Sequence, residues 1–453
     1  MALDADVIVA VSTNNTNTIT LSNTNKQFQQ ETFQLPSDGS VIEIDQSNFS
    51  WVNYFKCGLI VAHKFILENH PSLLKSNLKG LNLLFDGNVP TGGGLSSSAA
   101  FCVASTLAVL KANGVDSISK HDLTKITVVS EHYVGVNTGG MDQCASIYGE
   151  QNKALLIQFK PELIGIPFQL PILKPYDMVF LITNSLVSAN KHETAPINYN
   201  LRAVEAAVSA EFLAKKFNLS LVQDSNLSTG SLRGFMDDYF EKIENKPHWD
   251  GQDIYLGIER LSKLMKLIEI EFNNDEKLGF TTEMAANSLN LSIDQFHSKF
   301  LNKFPVEYSK LKLYQRTKHI FGDALRVLQV LKLFKESNDT IQNHQDSIEF
   351  CKSFGNLLNQ SQLSNKNLIE NSKPKCDELC QIALENGSYG SRVTGAGFGG
   401  SCVHLTTFDK LPKLIKAIEI EYYQKNFPNL SKDELKQVIL VSKPATGSCI
   451  VEL

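Results

Sequence analysis

The segment from residue 81 to residue 114 constrains the fold more tightly than any other part of this sequence. It begins with the apolar stretch LNLLFDG at 81–87, which is typical of a strand, and it ends with SSAAFCVASTLAVLKANG, a helical pattern closed by a glycine. Between them lies VPTGGGLSSSAAF, residues 89–101, in which three glycines precede three serines. The segment therefore predicts a strand, a glycine-rich loop and a helix in direct succession.

A glycine-rich loop that opens a helix has a specific chemical use. It exposes backbone N–H groups that have no partner within the helix, and the positive end of the helix dipole adds to their attraction for phosphate. Serine hydroxyls in the first turn can cap the helix, bond phosphate oxygens or ligate a magnesium ion. No lysine lies between Gly92 and Ala104, so the loop is not of the Walker type. A flexible turn with an ordinary serine cap is the simpler alternative, but it accounts for only one glycine and one serine.

Two further stretches have the composition of functional loops. In EHYVGVNTGGMDQCASIYGE, residues 131–150, Asp142 follows a Gly-Gly interruption, at what reads as a helix start. A carboxylate among backbone N–H donors stays ionised and can accept a proton, although a capping role also explains it. Glu131 is a candidate magnesium ligand or a solvated helix residue. The glycine-rich run in GSYGSRVTGAGFGGSCVHL, residues 387–405, suits either an anion-binding nest or a tight turn.

The rest of the chain mixes strand and helix patterns, which predicts an α+β fold with mixed sheets and packed helices. The polar stretch 12–26 reads as a hairpin, and strands are expected to return after a mostly helical region at about 200–385. The predicted strands are 6–12, 18–23, 40–45, 81–87, 154–159, 176–185, 401–407 and 437–444, and the predicted helices include 51–69, 97–114, 200–216, 254–272, 306–336 and 410–424.

Composition excludes several function classes. The chain has 453 residues, 42% of them hydrophobic, and a net charge of −5, which leaves no basic surplus for nucleic-acid binding. No run of 18 apolar residues and no cationic leader is present, so we expect a cytoplasmic protein without a membrane segment. The eight cysteines are expected to be reduced and mostly buried. Cys376 and Cys380 have helical i, i+4 spacing, but no second cluster lies nearby to complete a metal site.

Taken together, PTGGGLSSSAA, GGMDQ and RVTGAGFGG resemble the second motif, the catalytic segment and the third motif of galactokinases, within the galacto-, homoserine, mevalonate and phosphomevalonate (GHMP) kinase superfamily. NYFKCGLIVAH, HETAPINYNLR and LYQRTKHI extend the likeness to fungal members over nearly the whole chain. The resemblance implies a two-domain GHMP-kinase-like fold, with residues 1–172 as the N-terminal domain and 173–453 as the C-terminal domain. It also implies ATP and Mg²⁺ as cofactors and phosphorylation of α-D-galactose at C1.

The resemblance also implies individual roles. Asp142 becomes the catalytic base, facing the C1 hydroxyl of the sugar, and Gly139 and Tyr199 line the galactose pocket. Ser97 and Glu131 become the magnesium neighbours, and Lys191 lies near the nucleotide. The remaining implied roles are contacts of Gly92, Gly94, Ser96 and Ser97 with the ATP phosphates, and support of the phosphate loop by Gly395, Ala396 and Gly397.

One family feature is missing from the sequence. Galactokinases carry a first motif, roughly G-R-V-N-L-I-G-E-H-x-D-Y, shortly before the strand that here begins at residue 6, and no such segment occurs in this chain. We therefore expect the N-terminal strand region to be truncated, and activity to depend on the missing arginine and sugar-binding residues. Two other functions stay open: a galactose- and ATP-binding sensor that engages a transcriptional repressor, and an N-acetylgalactosamine kinase.

Overall fold

The computed structural model describes residues 1–45, 50–74, 77–90, 92–134, 139–187, 194–338 and 340–452. The chain divides into two compact units. Unit 1 contains residues 1–170 together with 442–453, and unit 2 contains residues 171–441. The last twelve residues thus belong to unit 1, although the family resemblance implied a C-terminal domain that runs from residue 173 to residue 453.

Unit 1 contains a four-stranded sheet, a group of helices and a two-stranded sheet. Its strands are β1 (Val7–Asn14), β2 (Thr18–Asn23), β3 (Glu31–Gln34), β4 (Gly80–Gly87), β5 (Lys153–Gln158) and β6 (Ile164–Gln169). Its helices are α1 (Val52–Asn69), α2 (Ser97–Ala112), α3 (Lys120–Val128) and α4 (Met141–Tyr148), with 3₁₀ turns at Pro71–Leu73 and Ser130–Val134.

The order of the first sheet, β1-β4-β2-β3, corrects two predictions. β4 pairs antiparallel with β1 and parallel with β2, so residues 12–26 do not form a hairpin. β4 takes the central place because its alternate residues Leu81, Leu83 and Phe85 are buried in the core. The strand predicted at 40–45 is also wrong, since β3 occupies the outer edge of β2 and residues 40–45 form no strand.

Helices α1 and α2 cover one face of this sheet. Phe55 and Ile66 of α1 and Val109 of α2 join the buried side chains of β2 and β4 in one hydrophobic core. The two helices approach closely at Gly58, where an added Cβ would lie 2.7 Å from the Cβ of Ser105. Small residues at this crossing therefore allow α1 and α2 to pack closely together on the sheet, and this packing fixes the position of α2.

Unit 2 is built on a second four-stranded sheet with the order β10-β7-β9-β8. β7 and β9 pair antiparallel and are almost wholly buried, and β7 has the nearly continuous apolar character of a buried strand. The helices Pro374–Glu385 and Leu411–Ile418 pack against them. The strands are β7 (Met178–Asn184), β8 (Gly390–Val393), β9 (Ser401–Thr407) and β10 (Ile439–Ser442).

The region between β7 and β8 is mostly helical, as predicted. The helix expected over 306–336 begins only at Leu313, because Leu311 is held in a β-bridge to Phe280 by two backbone hydrogen bonds of 2.8 Å. The helices of unit 2 are α5 (Tyr199–Lys216), α6 (Leu232–Asp238), α7 (Ile254–Glu271), α8 (Asn274–Lys277), α9 (Thr282–Ser288), α10 (Ile293–Phe300), α11 (Leu313–Ser337), α12 (His344–Ser364), α13 (Pro374–Glu385), α14 (Leu411–Ile418) and α15 (Lys432–Val438).

The expectation for the cysteines is met. All eight cysteines are free, and seven of them are buried. Across the described ranges, no helix combines the length and the apolar character that crossing a bilayer requires.

Candidate active site

The glycine-rich loop between β4 and α2 has an unusual backbone. Gly92, Gly94 and Ser96 adopt positive φ angles of 72°, 71° and 60°. Such alternation of backbone handedness turns successive N–H groups toward a common side, which is the geometry of an anion-binding nest. Space does not explain the glycine at position 92, since a Cβ added there would meet nothing within 4 Å. The left-handed conformation itself is what favours glycine at that position.

The first turn of α2 keeps its polar groups available. Ser96 occupies the N-cap position, but its side chain makes no capping hydrogen bond. Within the described part of the chain, the structure assigns no side-chain hydrogen bond to Ser96, Ser97 or Ser98. Because the first amides of a helix have no intrahelical partner, this end of α2 presents both N–H groups and hydroxyls to a ligand.

Glu131 lies in the 3₁₀ turn Ser130–Val134 and is only 2% exposed. Gln143 Nε2 donates a hydrogen bond of 2.8 Å to Glu131 Oε2, and Gln143 is itself buried. Among the described residues, no lysine, arginine or histidine forms an ion pair with this carboxylate. Glu131 is therefore not the solvated helix residue that the sequence allowed as an alternative.

The groups next to Glu131 favour their neutral forms. Burial and, after it, the nearby Glu131 carboxylate raise the pKa of the Tyr54 hydroxyl. A hydrogen bond with Cys57, burial and the Glu131 charge raise the pKa of the Cys102 thiol well above its ordinary value. A buried carboxylate in such surroundings is suited to a cation that supplies the missing countercharge.

Asp142 is the second residue of α4 and is half-buried, as expected for an acid at a helix start. Gly140 caps this helix with a φ of 84°, and a Cβ added there would lie 2.5 Å from a methyl carbon of Val128 and 2.6 Å from one of Leu163. Gly139, the residue before Gly140, is exposed and lies beside Phe159. The Gly-Gly pair therefore sets the direction from which α4 begins, and with it the position of Asp142.

Packing within unit 1 brings these elements together. α2 contacts both α4 and the turn Ser130–Val134. The helix that follows the glycine-rich loop thus lies against the two elements that carry Glu131 and Asp142. The hydrogen bond from Gln143, the residue after Asp142, fastens α4 to the turn.

Unit 2 carries the other predicted site residues. The third motif spans residues 392–400, of which 394–400 form the connection between β8 and β9. Gly395, Gly397 and Phe398 in it have positive φ angles of 66°, 75° and 62°. Tyr199, the first residue of α5, packs its ring 5.2 Å from the ring of Phe398. Lys191 lies outside the described residues.

Two partner residues were not recognised in the sequence. Gln143 is the last residue of the GGMDQ motif, and its place directly after Asp142 was the sequence signal that could have identified it. Asn371 holds the third motif: its backbone oxygen accepts the N–H of Phe398 at 2.5 Å, and its Nδ2 donates to Ala396 O at 3.1 Å. No composition or spacing pattern marks Asn371, because its partners are backbone atoms distant in sequence.

Protein-family models match this chain in both units. The model for the GHMP kinases N terminal domain matches residues 53–150, and the model for GHMP kinases C terminal matches residues 347–424. These two matches, together with the glycine-rich loop at the start of α2, define the class of fold as that of the GHMP kinases.

Relatives that match the whole of this chain identify the family within the GHMP kinases. A galactokinase of Schizosaccharomyces pombe is 59% identical over 456 residues, covering 100% of this chain and 87% of its own length. A galactokinase of Candida albicans is 54% identical over 455 residues, with 100% and 86% covered. The solved structure of Lactococcus lactis galactokinase complexed with galactose shares the fold, with a TM-score of 0.62 at 21% identity over 99% of this chain and 87% of that one. The chain belongs to the galactokinase family.

Proposed function

We propose that this chain transfers the γ-phosphoryl group of ATP to the C1 hydroxyl of α-D-galactose, giving galactose 1-phosphate. Membership of the galactokinase family supports the substrate pair. The observation that carries the mechanism is the packing of α2, which begins at the glycine-rich loop, against α4, whose second residue is Asp142.

The glycine-rich loop is the proposed phosphate site. The positive φ angles at Gly92, Gly94 and Ser96 orient backbone N–H groups toward the triphosphate, and the hydroxyl of Ser97 adds a further polar contact. Preorganised donors of this kind stabilise the charge that develops on the equatorial oxygens during phosphoryl transfer, without reorganising as the reaction proceeds. Lys191 remains a proposed nucleotide neighbour on the strength of the family resemblance alone.

Ser97 and Glu131 are the proposed holders of Mg²⁺. A hydroxyl and a buried carboxylate without a cationic partner among the described residues fit this ion, which prefers oxygen ligands. Within those residues no cluster of three or more histidine, cysteine, aspartate or glutamate side chains could hold a metal. Magnesium sites in proteins commonly use one or two protein oxygens together with substrate phosphates. When bound, the ion neutralises phosphate charge.

Asp142 is the proposed catalytic base. As the C1 oxygen attacks the γ-phosphorus and the bond from phosphorus to the ADP oxygen breaks, the hydroxyl proton passes to the Asp142 carboxylate. The positive end of α4 favours the negative charge that the carboxylate carries beforehand. Gly139 and Tyr199 remain proposed galactose neighbours on the strength of the family resemblance alone, and pairing of individual hydroxyls distinguishes galactose from its epimers.

The two alternative functions are less well supported. The relatives that match the whole chain at 54% and 59% identity are galactokinases, which favours catalysis over a purely regulatory role with a repressor partner. The same relatives favour galactose over N-acetylgalactosamine. We propose the cytoplasm as the compartment, because eight free cysteines suit reducing surroundings.

The test is galactose-dependent release of ADP, measured with Asp142→Asn. The assay is run on the 453-residue chain and on the same chain preceded by a G-R-V-N-L-I-G-E-H-x-D-Y segment, here named the extended chain. In whichever form is active, Asp142→Asn is expected to lower kcat by about 100- to 10,000-fold, the range of a general base, while ATP affinity stays within about twofold. The control is Asp116→Asn, an exposed aspartate paired with Lys111, which should leave kcat unchanged. Full activity of Asp142→Asn would reduce Asp142 to a helix-capping residue.

A further inference from the structure

A buried ion-pair network begins on α5. Glu205 is 0% exposed and Arg316, in the first turn of α11, is 1% exposed. Arg316 Nε donates to Glu205 Oε2 at 2.6 Å, and the other carboxylate oxygen accepts the backbone N–H of Lys312 at 2.8 Å. The carboxylate of Glu205 therefore fastens α5 to the start of α11.

The same guanidinium reaches a segment that is distant in sequence. Arg316 Nη2 donates to Glu370 Oε2 at 2.9 Å, and Nη1 donates to the backbone oxygen of Leu368. Arg202, three residues before Glu205 on α5, donates from Nε to Ile369 O at 2.6 Å. Two arginines thus hold residues 368–370 at adjacent positions, and they do so where Glu370 has a φ of 59° that residues other than glycine seldom adopt.

The next residue in the chain carries this hold into the third motif. The backbone oxygen of Asn371 accepts the backbone N–H of Phe398 at 2.5 Å, and its side-chain Nδ2 donates to Ala396 O at 3.1 Å. Contact is so close that a Cβ added at Gly397 would lie 2.5 Å from the Asn371 oxygen. Movement of residues 368–371 would therefore move the third motif.

The third motif in turn contacts the start of α5. Phe398 is 4% exposed, and its ring lies 5.2 Å from that of Tyr199 and 5.7 Å from the Arg202 guanidinium. The contacts close a ring that runs from α5 through Arg316, residues 368–371 and the third motif back to Tyr199. Buried ion pairs add little net stability compared with apolar side chains of similar size, but their fixed geometry can specify one arrangement.

We propose that Arg316 is a positioning residue for the sugar side of the active site, because its guanidinium sets the third motif against Tyr199 through Glu205 and residues 368–370. Its link to galactose rests on the proposed function, in which Tyr199 lines the sugar pocket. The positioning of the third motif does not depend on that function, and hydrogen exchange at the Phe398 amide measures it separately.

The experiment compares three variants by two measurements. Arg316→Met removes the guanidinium and leaves Glu205 with Arg202 as its remaining cation, at 3.3 Å from Arg202 Nη1 to Glu205 Oε2. The double variant Glu205→Met/Arg316→Met removes both members of the buried pair. Arg260→Met is the matched control, since Arg260 is equally buried but contacts Pro247 and Phe240 instead. Hydrogen exchange at the Phe398 amide is measured first, followed by KM for galactose and for ATP in the active form of the chain.

We expect exchange at Phe398 to be at least about tenfold faster, and KM for galactose at least about tenfold higher, in both Arg316 variants, with KM for ATP within about twofold. The double variant should recover most of the Tm that Arg316→Met loses. Arg260→Met should lower Tm without either effect. The proposal is overturned if the double variant recovers Tm and galactose KM together, or if exchange at Phe398 is unchanged. If no form turns over galactose, the proposed function fails while the exchange result still decides the positioning role.

Discussion

At the scale of single residues, the hydrogen bond between Gln143 and Glu131 is the contact most directly tied to the proposed chemistry. Gln143→Met keeps the volume of the side chain but removes the donor to a buried carboxylate. We expect the Mg²⁺ concentration for half-maximal rate to rise about 10- to 100-fold, the usual effect of losing a partner that orients a metal ligand. Unfolding free energy should fall by about 1 kcal/mol, because the lost oxygen of Gln143 itself has no partner in the described part of the chain.

The control for this variant is an exposed glutamine that donates to a glutamate in the same way. Gln345 Nε2 donates to Glu349 Oε1 at 2.9 Å on the surface of α12. Gln345→Met should change neither the Mg²⁺ dependence nor, by more than about 0.5 kcal/mol, the free energy of unfolding. An unchanged Mg²⁺ dependence in Gln143→Met would show that the contact has no part in ion binding.

Gly140, before α4, and Gly92, before α2, are needed for different reasons, and stability measurements can separate these reasons. Gly140→Ala combines a φ of 84° with contacts of 2.5 and 2.6 Å to Val128 and Leu163, so the free energy of unfolding should fall by about 2–4 kcal/mol. Gly92→Ala meets open space and carries only the strain of its φ, which predicts a smaller loss of about 1–2 kcal/mol. Urea denaturation of both variants tests the contrast, and equal losses would contradict it.

At the scale of elements, the start of α2 is predicted to depend little on its N-cap serine. Ser96 makes no capping bond, whereas Ser119, the N-cap of α3 in the same unit, accepts the N–H of Asp122 at 3.0 Å. Ser119→Ala should cost about 1 kcal/mol in unfolding free energy, and Ser96→Ala less than about 0.3 kcal/mol. A full capping loss at Ser96 would mean that its hydroxyl satisfies the helix rather than facing a ligand.

How far the elements were predictable from sequence depended on whether their signals were local. The strand, loop and helix around residues 81–112 were predicted because apolar periodicity and glycine punctuation are written within the segment itself. The place of β4 between β1 and β2 was not, since it depends on which strand has the most apolar face to bury. The late start of α11 at Leu313 likewise follows from a bridge between Leu311 and Phe280, 31 residues apart by number.

The candidate site divides in the same way. Asp142 at a helix start and the glycine-rich loop at the head of α2 follow from local sequence and are confirmed as structure, while their chemical roles stay predictions. Gln143, Asn371 and Arg316 act through partners that are far away in the chain or are backbone atoms. A single sequence offers no periodic signal for such contacts.

At the scale of the whole molecule, each unit has its own core and is expected to respond to pH through its own buried groups. In unit 2, His404 of β9 bonds Thr183 Oγ1 of β7 at 2.8 Å and Ser391 Oγ of β8 at 3.0 Å, so it ties three strands together. Burial lowers the pKa of His404 to about 3. Burial also lowers the pKa of His319 to about 4, although the Asp323 charge opposes this.

These two histidines predict a loss of stability in unit 2 as the pH falls. Both have folded pKa values below the unfolded value of about 6.5, so in the window beneath 6.5 the unfolded chain binds protons that the folded chain does not. Their stabilising contribution is therefore complete above pH 6.5 and should fall by about 3 kcal/mol between pH 6.5 and pH 5, roughly half from each. Carboxylates contribute little in this window because their unfolded pKa values lie near 4.

Tryptophan fluorescence can test this prediction, because of the two tryptophans Trp51 lies in unit 1 and Trp249 in unit 2. In a Trp51→Phe background, the fluorescence of buried Trp249 reports urea unfolding of unit 2 alone. Adding His319→Gln should halve the loss between pH 6.5 and pH 5, since only His404 then gains a proton on unfolding. A stability of unit 2 that stays flat over this window, or that rises as the pH falls, would show that neither His404 nor His319 is held neutral in the folded protein.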